Sequence, residues 1–268
     1  MTETRFSFGR VGAMCLRHFY ILKGSWPRLL EMAYWPTMQM IIWGFISTFL
    51  YQNSSWVAGA FGVLLAAAML WDILFRGQLG FSLSFLEEFW ARNLANLYCS
   101  PLTPLEHVAS LFTMAVIRCV IGVLPAMVLA IPFYHYSIFS LGLPLGAFFF
   151  SLMLMGCNLG LIVTAMILRF GVSAENLAWF VVFLLAPVSC VYYPVTILPG
   201  WLQVIAHFLP SSYVFEGMRA QMVDHVFRWD LFGASLGLNL IYLMIGIGTY
   251  LWSFAKARQL GLLLQVGE

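Results

Sequence analysis

The sequence predicts an all-α polytopic membrane protein: an N-terminal amphipathic helix lying at the interface, six transmembrane helices, a cytosolic helix between spans two and three, and two short outward helices between spans five and six. Three observations carry this. The chain is 62% hydrophobic and only 9% charged, with a mean hydropathy of +0.89, whereas soluble domains carry about 25% charged residues. Long uncharged runs recur, each matching the roughly 20 residues that cross about 30 Å of hydrocarbon at 1.5 Å per residue. Finally, Pro194 to Arg219, reading PVTILPGWLQVIAHFLPSSYVFEGMR, is equally apolar but is broken by Pro194, Pro199, Gly200 and Pro210. Proline removes a backbone donor and clashes with the preceding turn, so this stretch reads as two short helices, Trp201 to Phe208 and Tyr213 to Val223.

Residues 1–28 form the basic N-terminal unit and 29–268 a single six-span domain. Phe8, Val11, Cys15, Phe19 and Leu22 recur at spacings of three and four, on one helical stripe. Arg10 and Arg17 fall on the opposite face, so such a helix can lie in the headgroup layer with its cations toward anionic lipid. A plain cytosolic tail whose charges only orient the first span fits the same residues. No apolar core followed by a small-residue cleavage site is evident.

Met32 to Trp71 holds no charged residue. Gln52 to Ser55 divide it into a first span at about Met32 to Tyr51 and a second at about Trp56 to Phe75. Asp72 and Arg76 end the second span four apart, spaced to pair along the helix. In Phe81 to His107, Leu86, Trp90, Leu94 and Leu97 mark one helical face. Glu87, Glu88, Arg92, Asn93 and Asn96 cover the rest, with Glu88 and Arg92 spaced for an i,i+4 pair. Ser100-Pro101 and Thr103-Pro104 then stop the helix. It is a surface amphipathic helix or a docking helix for a cytosolic partner.

Arg118 lies within the third span, about Val108 to Phe133. An ionisable residue in a span is a functional candidate, while snorkelling to the nearby interface is the simpler account. The fourth span runs about Leu145 to Leu168, the fifth about Leu177 to Tyr193, and the sixth about Leu231 to Phe254. In the broken stretch Glu216 and Arg219 lie three apart on one face, marking either a gate or an ordinary interfacial loop.

Six spans put both termini on one side. Arg5, Arg10, Arg17, Lys23, Arg28, Arg76, Arg92, Arg169, Lys256 and Arg258 fall in one set of segments, and only Arg219 and Arg228 in the other. The retained side carries the basic excess, so both termini are expected in the cytosol of a bacterial-type plasma membrane, with the broken stretch facing outward.

No cluster of Lys and Arg points to nucleic acid. The five cysteines (Cys15, Cys99, Cys119, Cys157, Cys190) form no CxxC pair or metal spacing. Lys23-Gly24-Ser25 lacks the glycine loop of a phosphate-binding motif, and neither HExxH nor GxSxG occurs. No converging nucleophile and base marks an enzyme. No Asp or Glu falls well inside a span, which speaks against proton-coupled transport.

Two motifs in their order carry a resemblance. NLANLYCSPLTPLEHV resembles the pattern E-L-L-x-S-P-x-S/T-x-x-E through Ser100, Pro101, Thr103 and Glu106. LPGWLQVIAHFLPSSYVFEGMR resembles L-P-x-W-L-x-x-I-x-x-x-N-P-x-x-Y-x-x-E-x-x-R through Leu198, Pro199, Trp201, Leu202, Ile205, Pro210, Tyr213, Glu216 and Arg219. With a basic N-terminal helix and six spans, the whole chain resembles the permease subunits of type-2 ATP-binding-cassette exporters. Leu209 stands where that family often has Asn, and Asn96 near its usual acidic residue.

The resemblance implies two copies forming a pathway for an amphiphilic substrate such as a lipid-linked glycan, polysaccharide, lipid or drug. Two partner subunits would bind ATP and Mg and hydrolyse the nucleotide, with no cofactor in this chain. Phe85, Glu87, Glu88, Trp90, Arg92, Asn93, Asn96 and Leu97 would form the coupling helix, spanning Phe85 to Tyr98. Pro199, Trp201, Pro210, Tyr213, Glu216 and Arg219 would belong to two re-entrant helices that gate the outer side. A membrane anchor for a cytosolic partner and an ATP-independent transporter are the alternatives.

Overall fold

The computed structural model describes residues 6–53 and 61–261. Among them the regular structure is all helical, without strands. The helices are α1 (Phe8–Lys23), α2 (Trp26–Asn53), α3 (Phe61–Trp90), α4 (Leu94–Cys99), α5 (Pro104–Tyr134), α6 (Leu143–Phe170), α7 (Leu177–Leu185), α8 (Gly200–His207), α9 (Pro210–Val223) and α10 (Trp229–Gln259). Short 3-10 turns at Ile138–Leu141, Gly171–Ala174 and Val195–Ile197 link them.

Four helices are long and apolar enough to cross a membrane: residues Gly62–Trp90, Pro104–Tyr134, Leu143–Phe170 and Trp229–Gln259. This is the composition of a membrane protein. Three of the expected spans differ. The first corresponds to α2, which at 28 residues is long enough to cross but is not among these four. The second, whose first residues 56–60 lie outside the described ones, continues unbroken to Trp90 instead of ending at Phe75. Leu74 to Leu86 is almost entirely buried, so packing carries the helix past its charges. The fifth is only the nine-residue α7, followed by turns over 186–193. At 1.5 Å per residue it is about 14 Å long, half of a hydrocarbon core.

α6 is the axis of the bundle, 83% buried along its most apolar window, while α10 is 17% buried and outermost. α3, α9 and α10 pack around α6. Lipid supplies no hydrophobic drive between helices, so close backbone approach and polar contacts must hold them together. Both are present. Gly156 and Gly160, a GxxxG pair, press on α3: a Cβ at Gly156 would lie 2.5 Å from the Leu74 carbonyl oxygen, and one at Gly160 2.8 Å from Phe81 Cβ. On the other side a buried polar ladder joins α6 to α10. Ser151 and Ser235 hydroxyls are 2.6 Å apart, Asn239 Nδ2 donates to the Ser151 carbonyl at 3.1 Å, and Asn158 Nδ2 donates to the Asn239 carbonyl at 2.9 Å.

The N-terminal helix packs differently from the expected stripe. Phe8 and Phe19 are exposed, and the buried face is Met14, His18 and Leu22. Electrostatic partners of Arg10 and Arg17 set this rotation, as described below.

The α3–α6 seam gives a direct test. Gly156→Val should overpack it and cost about 1–3 kcal/mol or more, whereas Gly146→Val, with open space around its Cβ position, should leave stability near wild type. Thermal unfolding of both variants in one detergent measures this; equal midpoints would remove Gly156 from the seam.

Candidate functional site

The charged residues expected on separate surfaces converge at one end of the bundle. Glu87 and Glu88 are consecutive on α3, so they project about 100° apart and engage different elements. Glu87 accepts from Arg118 Nη2 at 2.6 Å and from Arg28 Nη1 at 2.9 Å. Glu88 accepts from Arg17 Nε at 2.8 Å, Arg17 Nη2 at 3.1 Å and Asn93 Nδ2 at 2.7 Å. The fully buried His18 ring sits between them, Nδ1 3.8 Å from Glu87 and Nε2 4.0 Å from Glu88. The side chains of Glu87 and Arg118 are 9% and 8% exposed.

A second anchor lies beside this hub. Thr103 and Glu106 cap α5 reciprocally: Glu106 N–H donates to Thr103 Oγ1 at 3.3 Å and Thr103 N–H to Glu106 Oε2 at 2.8 Å. The same buried carboxylate accepts from Ser7 N–H at 2.7 Å and Arg10 Nε at 2.9 Å. The hydrogen bond to Glu106 raises the pKa of the Arg10 guanidinium. The basic residues of α1 expected to face anionic lipid, Arg10 and Arg17, therefore meet protein carboxylates.

Arg118 is thus neither snorkelled into lipid nor alone: it is the buried half of an ion pair. The Glu88–Arg92 pair does not form, because α3 ends at Trp90 and Arg92 turns away with φ of 55°. The expected continuous helix from Phe85 to Tyr98 is the end of α3, a break at residues 91–93, and the short α4. Phe85 and Leu97 are buried, as is Glu88, so they support the surface from within. The outward-facing residues are Trp90, Arg92 and Asn96, with Trp90 Nε1 donating to Glu175 at 3.1 Å. Asn93 is turned inward to Glu88. Behind α4, Tyr98 Oη lies 2.7 Å from His107 Nδ1 and 2.9 Å from Tyr250 Oη. Burial beside Tyr250 raises the Tyr98 pKa well above the usual phenol value.

The broken stretch forms at the other end of α10, where Ser235 Oγ donates to the Pro210 carbonyl at 2.9 Å. From Ser235 to Tyr250 is about 22 Å at 1.5 Å per residue. Pro199 caps α8 and Pro210 is the first residue of α9, so the two short helices begin at the prolines. Trp201 is 68% exposed. Tyr213 Oη donates to the His207 carbonyl at 3.0 Å. Glu216 accepts from Val195 N–H at 2.8 Å, and Arg219 Nη2 lies 3.1 Å from the same oxygen. Arg219 Nη1 donates to the carbonyls of Cys190 and Val191 at 3.0 and 3.3 Å. These two charges tie α9 to the segment preceding α8.

Next to the hub is a cavity of about 520 Å³, within the range of small-molecule sites. α2 contributes Arg28, Glu31, Trp35 and Gln39. α3 contributes Asp72, Phe75, Arg76 and Glu87; Arg118 comes from α5, and Trp179 and Phe183 from α7. Asp72 is 7% exposed and lies well inside α3, not at a span end, which overturns the expectation that no Asp or Glu falls well inside a span. Among the described residues it forms no ion pair within 4.0 Å, so the expected contact with Arg76 is not made. Arg76 Nε and Nη2 are buried without hydrogen-bond partners.

All five cysteines are free, and among the described residues no cluster of His, Cys, Asp and Glu could hold a metal ion. Sequence reasoning missed the roles of Arg10, Arg17, Arg28 and His18, since ion pairs between distant segments leave no local spacing. The Thr103-Pro-Leu-Glu106 capping box was readable as a helix start. No family model matches the chain, and no curated protein is significantly similar to it.

Breaking a buried pair strands a charge, while exposed pairs contribute little. Glu87→Gln should therefore destabilise by about 3–5 kcal/mol. Arg228→Ala, whose pair with Asp230 is exposed on both sides, should cost at most about 1 kcal/mol. Chemical or thermal unfolding of the two variants tests the ranking; an equal or larger loss for Arg228→Ala would remove Glu87 from the main supports of the fold.

Proposed function

We propose that this chain is the permease subunit of an ATP-driven exporter for an amphiphilic substrate, paired with a second copy and with two separate ATPase subunits. On this reading α2, α3, α5, α6, α7 with its following turns, and α10 are the six spans. The ridge of Trp90, Arg92 and Asn96 seats in the ATPase subunit, and α8 and α9 are re-entrant gate helices. ATP and Mg belong to the partner, and both termini face the cytosol of a bacterial-type inner membrane.

The observation that best supports the reading is mechanical. The exposed ridge stands on a break that is braced from within by Glu88, Asn93 and the Tyr98–His107–Tyr250 cluster. A push on it is delivered to α1, α5 and α10 together rather than absorbed by a loop. A two-state bundle needs such a connection if nucleotide binding is to bias it.

The test is co-purification with an ATPase subunit encoded beside it, with ATP turnover rising in the complex. Exposed aromatic and charged anchors dominate interfaces, so Trp90→Ala or Arg92→Ala should weaken association about tenfold, roughly 1.4 kcal/mol. Glu216→Ala should leave association intact and change flux. Wild-type association in both ridge variants would sink the docking role.

A transporter that needs no ATPase is the second reading, favoured by Asp72 buried within a candidate span. It predicts substrate flux in vesicles containing this chain alone.

A further inference from the structure

We propose that the cavity between α2, α3 and α7 binds a zwitterionic amphiphile, with the cationic end of its headgroup on Asp72 and the anionic end on Arg76. This names the substrate class of the permease proposed above and rests on that reading for transport, though not for binding.

Two observations point to a ligand. The Asp72 carboxylate is more than nine-tenths buried, lines the cavity and has no ion pair among the described residues. Arg76 also lines the cavity, and two of its guanidinium nitrogens are buried without partners. Both charges belong to one face of α3, one turn apart, with Cβ atoms about 5–6 Å apart at that spacing. A buried charge that makes no hydrogen-bonded ion pair is costly; here two of opposite sign face the same space and act on each other only from beyond ion-pair distance.

Charge count then selects the ligand. Arg28, Arg76 and Arg118 face Glu31, Asp72 and Glu87, so three positive groups balance three negative ones. Glu87 is already occupied by Arg28 and Arg118. A purely anionic ligand would satisfy Arg76 and repel Asp72; a purely cationic one would do the reverse. A headgroup carrying both signs on a short linker satisfies each. The apolar part has its own route, since Trp35, Trp179 and Phe183 line the cavity and are exposed on the surface that faces lipid in a membrane protein.

The experiment is equilibrium binding of radiolabelled lysophosphatidylethanolamine to the full chain in detergent, competed by lysophosphatidylglycerol and by an alkyl glucoside. Saturable binding is expected, with both competitors at least about tenfold weaker, a difference of roughly 1.4 kcal/mol. Equal competition by lysophosphatidylglycerol would assign the cavity to anions, and equal competition by the glucoside to uncharged polyols; either overturns the proposal. D72N and R76Q should each lower affinity about tenfold, and unchanged affinity in both would place the ligand elsewhere. The competition series uses only the wild-type chain, so it decides the matter even if a variant misfolds. Loss of ATPase co-purification would defeat the permease reading while leaving this binding intact, and the converse also holds.

Discussion

Two adjacent carboxylates, Glu87 and Glu88, hold the structure together at one end. Placed near the C-terminus of α3, they sit where the helix dipole disfavours negative charge, and they repel one another. Only surrounding cations make the arrangement stable. Arg118 from α5, Arg28 from α2 and Arg17 from α1 supply these, with Asn93 donating from the break that follows. Because neighbouring helical residues point in different directions, one dipeptide fixes three other helices. The position of α1 follows from this constraint and from Arg10 on Glu106, and its exposed Phe8 and Phe19 are a consequence.

The interior of the bundle rests on a different principle. α6 approaches α3 through Gly156 and Gly160 and approaches α10 through Ser151, Asn158 and Asn239. The first contact gains dispersion by bringing backbones together; the second satisfies polar groups that would otherwise be orphaned in hydrocarbon. The charged hub is confined to one end, so the middle is held by packing and neutral hydrogen bonds. On the permease reading, this gives a stiff axis with a charge-latched entry at the ATPase side.

Much of the fold was legible because the bilayer imposes lengths. The helices around Arg118, Met155 and Leu240 lie within a few residues of their expected bounds, and Pro199 and Pro210 do mark helix starts. What failed was failure of locality. Asp72 and Arg76 look like a helix end in sequence, because charge usually terminates a span; burial of Leu74, Leu79 and Phe81 around them carries the helix through. Glu88 and Arg92 have the spacing of a pair, yet the end of α3 at Trp90 separates them, and Arg17, far away in sequence, takes the place. The GxxxG of α6 was readable, but which face of which neighbour it would meet was not.

The contrast along α3 separates structural charge from available charge. Glu87 and Asp72 are about 22 Å apart along the helix axis. Both line the cavity, but the first is satisfied by two guanidinium groups, while the second forms no ion pair among the described residues. If both were merely structural, the second would be a needless cost, because replacing unpaired buried charge by an apolar side chain is often stabilising. A ligand that neutralises Asp72 and Arg76 together removes that cost on binding, and ligand bound only to the folded state stabilises it by mass action. A ligand carrying one charge recovers only part of that free energy, and one carrying both recovers all of it, which makes the site selective.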